Sequence, residues 1–186
     1  MNRPLILTYD VGTQSTRAIL VDKQGNIVDK EQVKYAEPYF RQRPGWAEQK
    51  TDFYFDNMCK ASTALMARNA DKVPDIIACA VTVIRDTLVF LDDQPTRDII
   101  HWLDARKCVF DDPFPLWKEA VFELIGMGKG TRIAYRTSKV NWVRQKQPKV
   151  WARTKKIVCL PAYINYRMTG RLADTPASTI AHIPMD

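Results

Sequence analysis

The N-terminal segment contains the feature that most constrains the fold, a short polar turn between two apolar runs. Residues 5–9 are mostly apolar and lead into Asp10, and a second apolar run covers residues 18–21. Small and hydroxyl residues fill the space between them, beginning at Gly12. Because the second run follows the turn at once, the pattern predicts two strands joined as a β-hairpin. It differs from the Gly-rich phosphate loop that ends in Lys-Ser/Thr and opens a helix.

The polar turn has the chemistry of a phosphate site. Gly12 lets the backbone approach an anion closely, and successive N–H groups around Thr13 and Gln14 can point at it. Asp10 can hold a hydrated Mg²⁺ beside the phosphates. Further donors are the hydroxyl groups of Thr13, Ser15 and Thr16. The alternative is an ordinary β-hairpin whose polar turn faces water.

The composition limits the class of protein. Of the 186 residues, 46% are hydrophobic, and no run is long enough to span a bilayer. The N-terminus lacks a signal peptide and the four cysteines are scattered, which predicts a cytoplasmic protein with reduced thiols and no zinc site. The net charge of +7 fits either a nucleic-acid surface or a solvated basic face. Because the basic residues are interleaved with helix signals, we favour the solvated face.

The remaining periodicity predicts an α/β fold. The predicted strands cover residues 5–9, 16–21, 27–35, 75–84, 87–91, 99–102 and 157–160, with a turn containing Gly25 at 22–26 and with 87–91 resuming the strand at 75–84. The predicted helices begin near Thr51 or Asp52 as a cap, lie within 116–125, run from Thr137 or Ser138 to about 147, and cover 161–168 with Gly170 as the C-terminal cap. The continuously apolar strand at 75–84 is expected to be buried on both faces. A three-stranded meander followed by α and β units predicts a ribonuclease-H-like (actin-like ATPase) domain, with a mixed five-stranded type of sheet flanked by helices.

Four segments in register resemble one family, the FGGY carbohydrate kinases, which include glycerol, xylulose, ribulose and gluconate kinases. The resemblance covers nearly the whole chain and is to the N-terminal domain of that family. The segments are residues 10–17 (DVGTQSTR), 44–49 (PGWAEQ), 102–106 (WLDAR), and a final group at 138–142 (SKVNW), 155–157, 160–161, 167–170 and 174.

The resemblance implies that the protein uses Mg²⁺ and ATP to phosphorylate a hydroxyl of a sugar or polyol, by positioning and charge stabilisation. On the phosphate side, Asp10 would hold the metal. The residues around the phosphates would be Asp10, Gly12, Thr13, Gln14, Ser15 and Arg17. Many family members have Thr or Ser where Gln14 stands, so one phosphate-binding hydroxyl is missing here.

On the substrate side, the resemblance implies that Arg85 and Asp86 bind substrate hydroxyls. Trp102 would offer an apolar face to the carbon chain, and Asp104 would orient that face or a hydroxyl. Tyr135 stands near the place of a substrate tyrosine in glycerol kinases, one residue out of register. Each role has an alternative: an ion pair between Asp86 and Arg85, a core position for Trp102, and a pair of Asp104 with Arg106 across a turn.

The resemblance also implies that residues 1–186 are part of an N-terminal substrate and phosphate-hairpin domain. The general base, an Asp, is expected downstream of Asp186, the C-terminal nucleotide domain is absent, and this piece alone is expected to be inactive. The expected partners are a sugar or polyol and ATP, with no nucleic acid and no membrane, and a homodimer stays open. Two alternatives remain: a nucleic-acid processing domain with Asp10 and Asp86 as metal carboxylates, or a non-catalytic nucleotide-binding module.

Overall fold

The computed structural model describes residues 4–111 and 115–175, which form two sheets flanked by helices. The strands are β1 (Leu5–Val11), β2 (Ser15–Asp22), β3 (Ile27–Lys34), β4 (Glu48–Gln49), β5 (Ile76–Val83), β6 (Leu88–Leu91), β7 (Ile99–Ile100) and β8 (Lys156–Cys159). The helices are α1 (Phe53–Ala67), α2 (Leu116–Leu124), α3 (Gly128–Thr137), α4 (Lys139–Lys146), α5 (Pro148–Arg153) and α6 (Leu160–Thr169), with a 3-10 helix at Ala70–Asp75. The predicted α/β class is confirmed.

The first sheet is mixed and has the strand order β3-β2-β1-β5. The hairpin of β1 and β2 and the pair of β2 and β3 are antiparallel, whereas β1 and β5 run parallel. The predicted turn after β2 is present, with Gly25 at φ +86° and the carboxylate of Asp22 accepting the N–H of Gln24 and Asn26. The three-strand meander predicted from the sequence is therefore confirmed.

The second sheet has the order β4-β7-β6-β8 and is antiparallel. The prediction that residues 87–91 resume the strand before them is wrong, because β5 and β6 belong to different sheets. The chain changes sheet at Asp86, whose φ of +55° places it in the left-handed region. Asp is among the residues that tolerate this conformation, because its short polar side chain can bond locally.

Helix α1 covers the first sheet and helix α6 lies between the two sheets. The core on this side contains Leu20, Tyr54, Leu65 and Ile164, all fully buried. Asp52 immediately precedes α1, as predicted, but its side chain makes no capping bond to the helix and accepts the Tyr163 hydroxyl instead (2.7 Å).

The second hydrophobic cluster packs α4 against β6, β7 and β8. Helix α4 begins as predicted, because the Ser138 hydroxyl accepts the backbone N–H of Asn141. Its apolar face presents Trp142 and Val143 to Phe90 and Ile100. Helix α6 ends as predicted at Gly170, whose φ is +72°. Helices α3 and α5 lie in segments for which the sequence analysis predicted no helix.

The expected burial of the strand at 75–84 is wrong. Strand β5 lies at the edge of the first sheet within the described part of the chain, and residues 77–80 are exposed. The side chain of Ile77 is 71% exposed. A continuous apolar run indicates a strand correctly, but its burial depends on which elements cover it, and the run itself does not encode them.

Candidate functional site

The predicted phosphate turn and the predicted substrate pair lie at the same edge of the first sheet. Strands β1 and β5 are parallel, so their carboxyl ends meet, and the Ile84 N–H donates to the Val11 carbonyl (3.0 Å). Gly12 follows β1, and Arg85 and Asp86 follow β5 two residues after its end. In open α/β sheets, ligands bind in the crevice outside the carboxyl ends of the strands. This edge is therefore the candidate site.

Gly12 makes the turn between β1 and β2 tight. Its N–H donates to the Ser15 carbonyl (2.9 Å), and a Cβ at Gly12 would lie 3.2 Å from that oxygen. Contacts this short are rare, so a side chain here would push the turn open. The Gly12 position thus keeps the Thr13 and Gln14 backbone at the surface, as close approach of an anion requires.

The hydroxyl groups around the turn point in different directions. Thr13 lies at the surface, whereas the Ser15 hydroxyl accepts the side-chain amide of Gln32 (2.9 Å) and Thr16 shares a short bond with the Tyr35 hydroxyl (2.5 Å). Thr16 is fully buried. The Ser15 and Thr16 hydroxyls thus bind neighbouring strands and the core, which leaves Thr13 as the hydroxyl of residues 12–16 best placed to meet a ligand.

Asp10 and Arg17 face each other across the β1–β2 ladder. Their side chains form an ion pair of 2.6 Å, and each is somewhat more than 40% exposed. Mg²⁺ in nucleotide sites is commonly held by one or two carboxylates together with phosphates and water. A single exposed carboxylate beside a phosphate-type turn fits that donor set. The described residues contain no group of three or more His, Cys, Asp or Glu side chains that could form an all-protein cage.

Trp102 lies directly against the phosphate turn. Its indole N–H donates to the Thr13 hydroxyl (3.0 Å), and its side chain is 44% exposed rather than part of the core. An open groove of about 540 Å³ adjoins this contact. The groove is lined by Thr13, Gln14, Glu37, Pro38, Tyr39, Arg41 and Leu103. A larger groove of about 600 Å³ lies at the opposite end of β6, around Asp92 and Tyr163, away from the predicted site residues.

Asp104 is fully engaged within the protein. Its buried carboxylate accepts the Ala47 N–H (2.7 Å) and two guanidinium N–H groups of Arg106 (2.7 and 2.6 Å). Arg106 lies between the rings of Trp46 (4.0 Å) and Trp142 (4.4 Å). The segments at 44–49 and 102–106 are thus joined by the hydrogen bond from Ala47 to Asp104 and by the cation–π contact of Arg106 with Trp46, while Trp142 of α4 covers the other face of the guanidinium. This geometry favours a role for Asp104 in orienting the segment that carries Trp102. It does not favour direct contact of Asp104 with a substrate hydroxyl.

A second buried pair extends the same network. Arg97 and Arg106 both contact Glu48, with 2.9 Å between Arg106 Nη2 and Glu48 Oε1. Burial lowers the pKa of Arg97, and the adjacent Glu48 opposes that shift. Together the two acids and two arginines form an electrically balanced cluster under the candidate site.

Asp86 forms its ion pair with a residue that the sequence analysis did not select. Lys139 Nζ lies 2.7 Å from Asp86 Oδ2, and only 8% of the Lys139 side chain is exposed. The neighbouring Arg85 is exposed at the surface. A signal for Lys139 was present in the sequence: a lysine on the apolar face of a helix requires an anionic partner.

His101 is a second residue of this region that the sequence analysis left without a role. Its ring is fully buried, stacks on Tyr39 (5.5 Å between centroids) and accepts the Leu103 N–H at Nδ1 (3.2 Å). Burial lowers the pKa of His101 to about 4, and the charge of Lys139 acts in the same direction. The ring is therefore neutral, with its hydrogen at Nε2, for which the described residues offer no acceptor.

Tyr135 lies in a different cluster. Its hydroxyl donates to Asp111 Oδ1 (2.7 Å) and receives a bond from Arg144 (2.8 Å). The hydrogen bond that Tyr135 donates is the main reason why the pKa of Asp111 lies below its ordinary value. The contacts that the structure shows for the Tyr135 hydroxyl thus involve none of the other predicted site residues.

Known proteins similar to this chain are carbohydrate kinases. The chain is 25% identical over 169 residues to the gluconokinase of Bacillus licheniformis, covering 86% of this chain and 31% of that protein. It is 27% identical over 174 residues to the glycerol kinase of Janthinobacterium sp. (strain Marseille), covering 89% and 34%. The chain thus spans about a third of the length of the curated relatives it matches.

Solved structures share the fold. The gluconate kinase of Lactobacillus acidophilus superposes with a TM-score of 0.75 at 21% identity, covering 97% of this chain and 36% of that one. The glycerol kinase of Plasmodium falciparum gives 0.67 at 21% identity, covering 90% and 35%. These likenesses confirm the predicted actin-like ATPase class. The family model described as "FGGY family of carbohydrate kinases, N-terminal domain" matches residues 5–185, and the chain therefore belongs to the FGGY family of carbohydrate kinases.

Proposed function

We propose that the complete protein transfers the γ-phosphoryl group of ATP to a hydroxyl of a sugar or polyol. The proposal rests on two segments that meet at one sheet edge. One is the turn at Gly12–Gln14, which Trp102 contacts. The other is the adjacent residues Arg85 and Asp86, which follow the neighbouring parallel strand β5. One segment has the chemistry to bind phosphate and the other to bind hydroxyls. Phosphoryl transfer needs both within one crevice.

On the phosphate side, the chain supplies positioning and charge. The backbone N–H groups of Thr13 and Gln14 and the Thr13 hydroxyl would donate to phosphate oxygens. Asp10 would hold Mg²⁺, and the chemistry that this ion would supply is neutralisation of phosphate charge. Arg17, which contacts Asp10 across the hairpin, would lie beside the phosphates as a further positive charge. None of these residues is a proton acceptor for the substrate, so the general base comes from another part of the protein.

On the substrate side, the chain supplies recognition. The Asp86 carboxylate accepts substrate hydroxyls, and Arg85 donates to another oxygen. Trp102 offers an apolar face to the carbon chain, and its hydrogen bond to Thr13 fixes the distance between that face and the phosphate turn. The buried Asp104–Arg106 pair holds this wall in place.

The alternative of a two-metal nucleic-acid site is not supported by the geometry. Asp10 pairs with Arg17, and Asp86 pairs with Lys139. A two-metal site needs several converging carboxylates, and the described residues show no such group. The basic surface residues are consistent with the solvated face that we favour from the sequence.

The proposed function also implies a cellular location and a set of binding partners for the protein. In residues 4–111 and 115–175, none of the helices combines the length and hydropathy needed to cross a bilayer. We propose a cytoplasmic enzyme whose partners are ATP and a small polyhydroxylated substrate.

A coupled assay of ADP release by the complete gene product tests the function. The panel contains glycerol, D-xylulose, D-ribulose and D-gluconate, each with and without ATP and Mg²⁺. We expect substrate-dependent ADP release with at least one of them, at the rates of roughly 1–100 s⁻¹ that are common for kinases. ADP release that is the same with and without every polyol, or that depends on nucleic acid, would refute the proposal.

A further inference from the structure

Lys139 is an unusual buried cation at the start of helix α4. Ser138 caps the helix, and Trp142 and Val143 continue the buried face on which Lys139 lies. An ammonium group with 8% of its side chain exposed needs a close anion, and Asp86 supplies one at 2.7 Å. The side chain thus ties α4 to the segment that links the two sheets.

The Asp86 backbone is held on both sides. The Ile84 N–H donates to the Val11 carbonyl (3.0 Å), and the buried Thr87 accepts the Leu160 N–H at its carbonyl (2.9 Å). Asp86 itself adopts the left-handed conformation between these anchors, with φ +55°. Non-glycine residues in this conformation persist where the surrounding structure over-determines them, and they cluster at ligand-binding sites.

The side chain of Asp86 is held and yet accessible. Lys139 binds one oxygen, Oδ2, and 36% of the side chain is exposed. A carboxylate fixed at one oxygen presents its acceptor directions to a ligand in a defined orientation. Loss of the ion pair with Lys139 would give the carboxylate more orientations, and more of that freedom would be lost on binding.

We infer that Lys139 is a positioning residue for substrate recognition, which acts by fixing the orientation of the Asp86 carboxylate toward the substrate hydroxyls. The inference rests on the proposed function. Lys139 does not touch the substrate in this account, since its ammonium is buried behind Asp86.

Discrimination between substrates by the complete protein tests this inference. It is measured as the ratio of kcat/KM for the preferred substrate of the panel to kcat/KM for each of its monodeoxy analogues. Because the ratio does not depend on the fraction of active enzyme, a loss of stability alone leaves it unchanged. The unaltered protein should discriminate by at least about tenfold against the analogue that lacks the hydroxyl bound by Asp86. In Lys139→Met the ratio should fall to within about threefold of one, and Lys139→Arg should restore at least half of it on a logarithmic scale.

Two controls separate orientation from general effects. Lys155→Met removes an exposed Lys–Asp pair of similar length, since Lys155 Nζ lies 2.6 Å from Asp92 Oδ1 at the other end of β6, and it should keep the ratio of the unaltered protein. The double variant Asp86→Ala with Lys139→Met should show the same ratio as Asp86→Ala alone, because Lys139 acts through Asp86.

The outcomes distinguish this inference from the proposed function. If Asp86→Ala loses the discrimination while Lys139→Met, or the equally uncharged Lys139→Gln in case Met prevents folding, keeps the full ratio or loses it equally for every hydroxyl, the positioning role is wrong and the function stands. If the unaltered kinase discriminates against none of the deoxy analogues, the substrate role of Asp86 is wrong, and the role of Lys139 falls with it. If no substrate of the panel supports ADP release, the proposed function itself is refuted.

Discussion

Removal of the Asp104 carboxylate should destabilise the domain by a large and calculable amount. The four buried charges of this network are two acids, Glu48 and Asp104, and two arginines, Arg97 and Arg106. Asp104→Ala leaves two guanidinium groups around the one remaining carboxylate, and it also leaves the Ala47 N–H without its acceptor. Breaking a buried ion pair by removing one partner costs about 3–5 kcal/mol. That is a large part of the roughly 5–15 kcal/mol by which a domain is stable.

Urea unfolding of the complete protein, followed by tryptophan fluorescence, measures this cost. Trp46 and Trp142 flank the Arg106 guanidinium and therefore report on the region itself. The matched control is Asp98→Ala, which removes an exposed pair with Lys50 (2.8 Å) and should cost at most about 1 kcal/mol. Equal and small costs for the two variants would refute the structural role that we assign to Asp104. The loss of unfolding free energy in Asp104→Asn, which keeps an acceptor for the Ala47 N–H, should lie between the losses in Asp104→Ala and Asp98→Ala.

Two further predictions concern pH and the isolated domain. The folded-state pKa of His101, about 4, lies below its ordinary value of 6.5, so the unfolded chain binds more protons between these values and stability is lost as the pH falls through that window. The free energy of unfolding should fall by about 2 kcal/mol from pH 7 to pH 5. This loss should be absent in His101→Gln when both proteins are unfolded in urea at each pH. An identical pH dependence of the two proteins would show that His101 is not buried in its neutral form. A polypeptide of residues 1–186 alone should transfer no phosphate, because positioning across a cleft supplies much of the rate, and kinase-range turnover in the ADP-release assay would contradict this expectation.

The local pattern of the sequence predicted most of the first half of the fold. Alternating apolar residues and polar turns predicted the meander, and capping residues predicted the start of α4 and the end of α6. Helix α3 was missed because its sequence carries three polar or glycine residues in its first turn, including Gly128 and Gly130, and glycine lowers helix propensity. The exposure of β5 was missed because a strand's own residues do not reveal what covers it.

The candidate site was predictable in its parts but not in its connections. Short motifs indicated Asp10, Gly12 and Trp102, and the structure joins the last of these to the phosphate turn through Thr13. The pair of Asp86 with Lys139 spans 53 positions in the chain, so no local pattern could link them. Adjacent residues suggested Arg85 as the partner of Asp86, whereas the ion pair in the structure comes from a distant helix.

The most direct test of the account separates the two halves of the site by steady-state kinetics of the complete protein. Asp10→Asn should lower kcat by about a hundredfold or more at saturating Mg-ATP, with little change in KM for the sugar. Asp86→Ala should raise KM for the sugar and leave KM for ATP nearly unchanged, because in this account Asp86 contacts the substrate hydroxyls and not the nucleotide. Near wild-type kcat in Asp10→Asn, together with an unchanged sugar KM in Asp86→Ala, would contradict the assignment of this sheet edge as the kinase site.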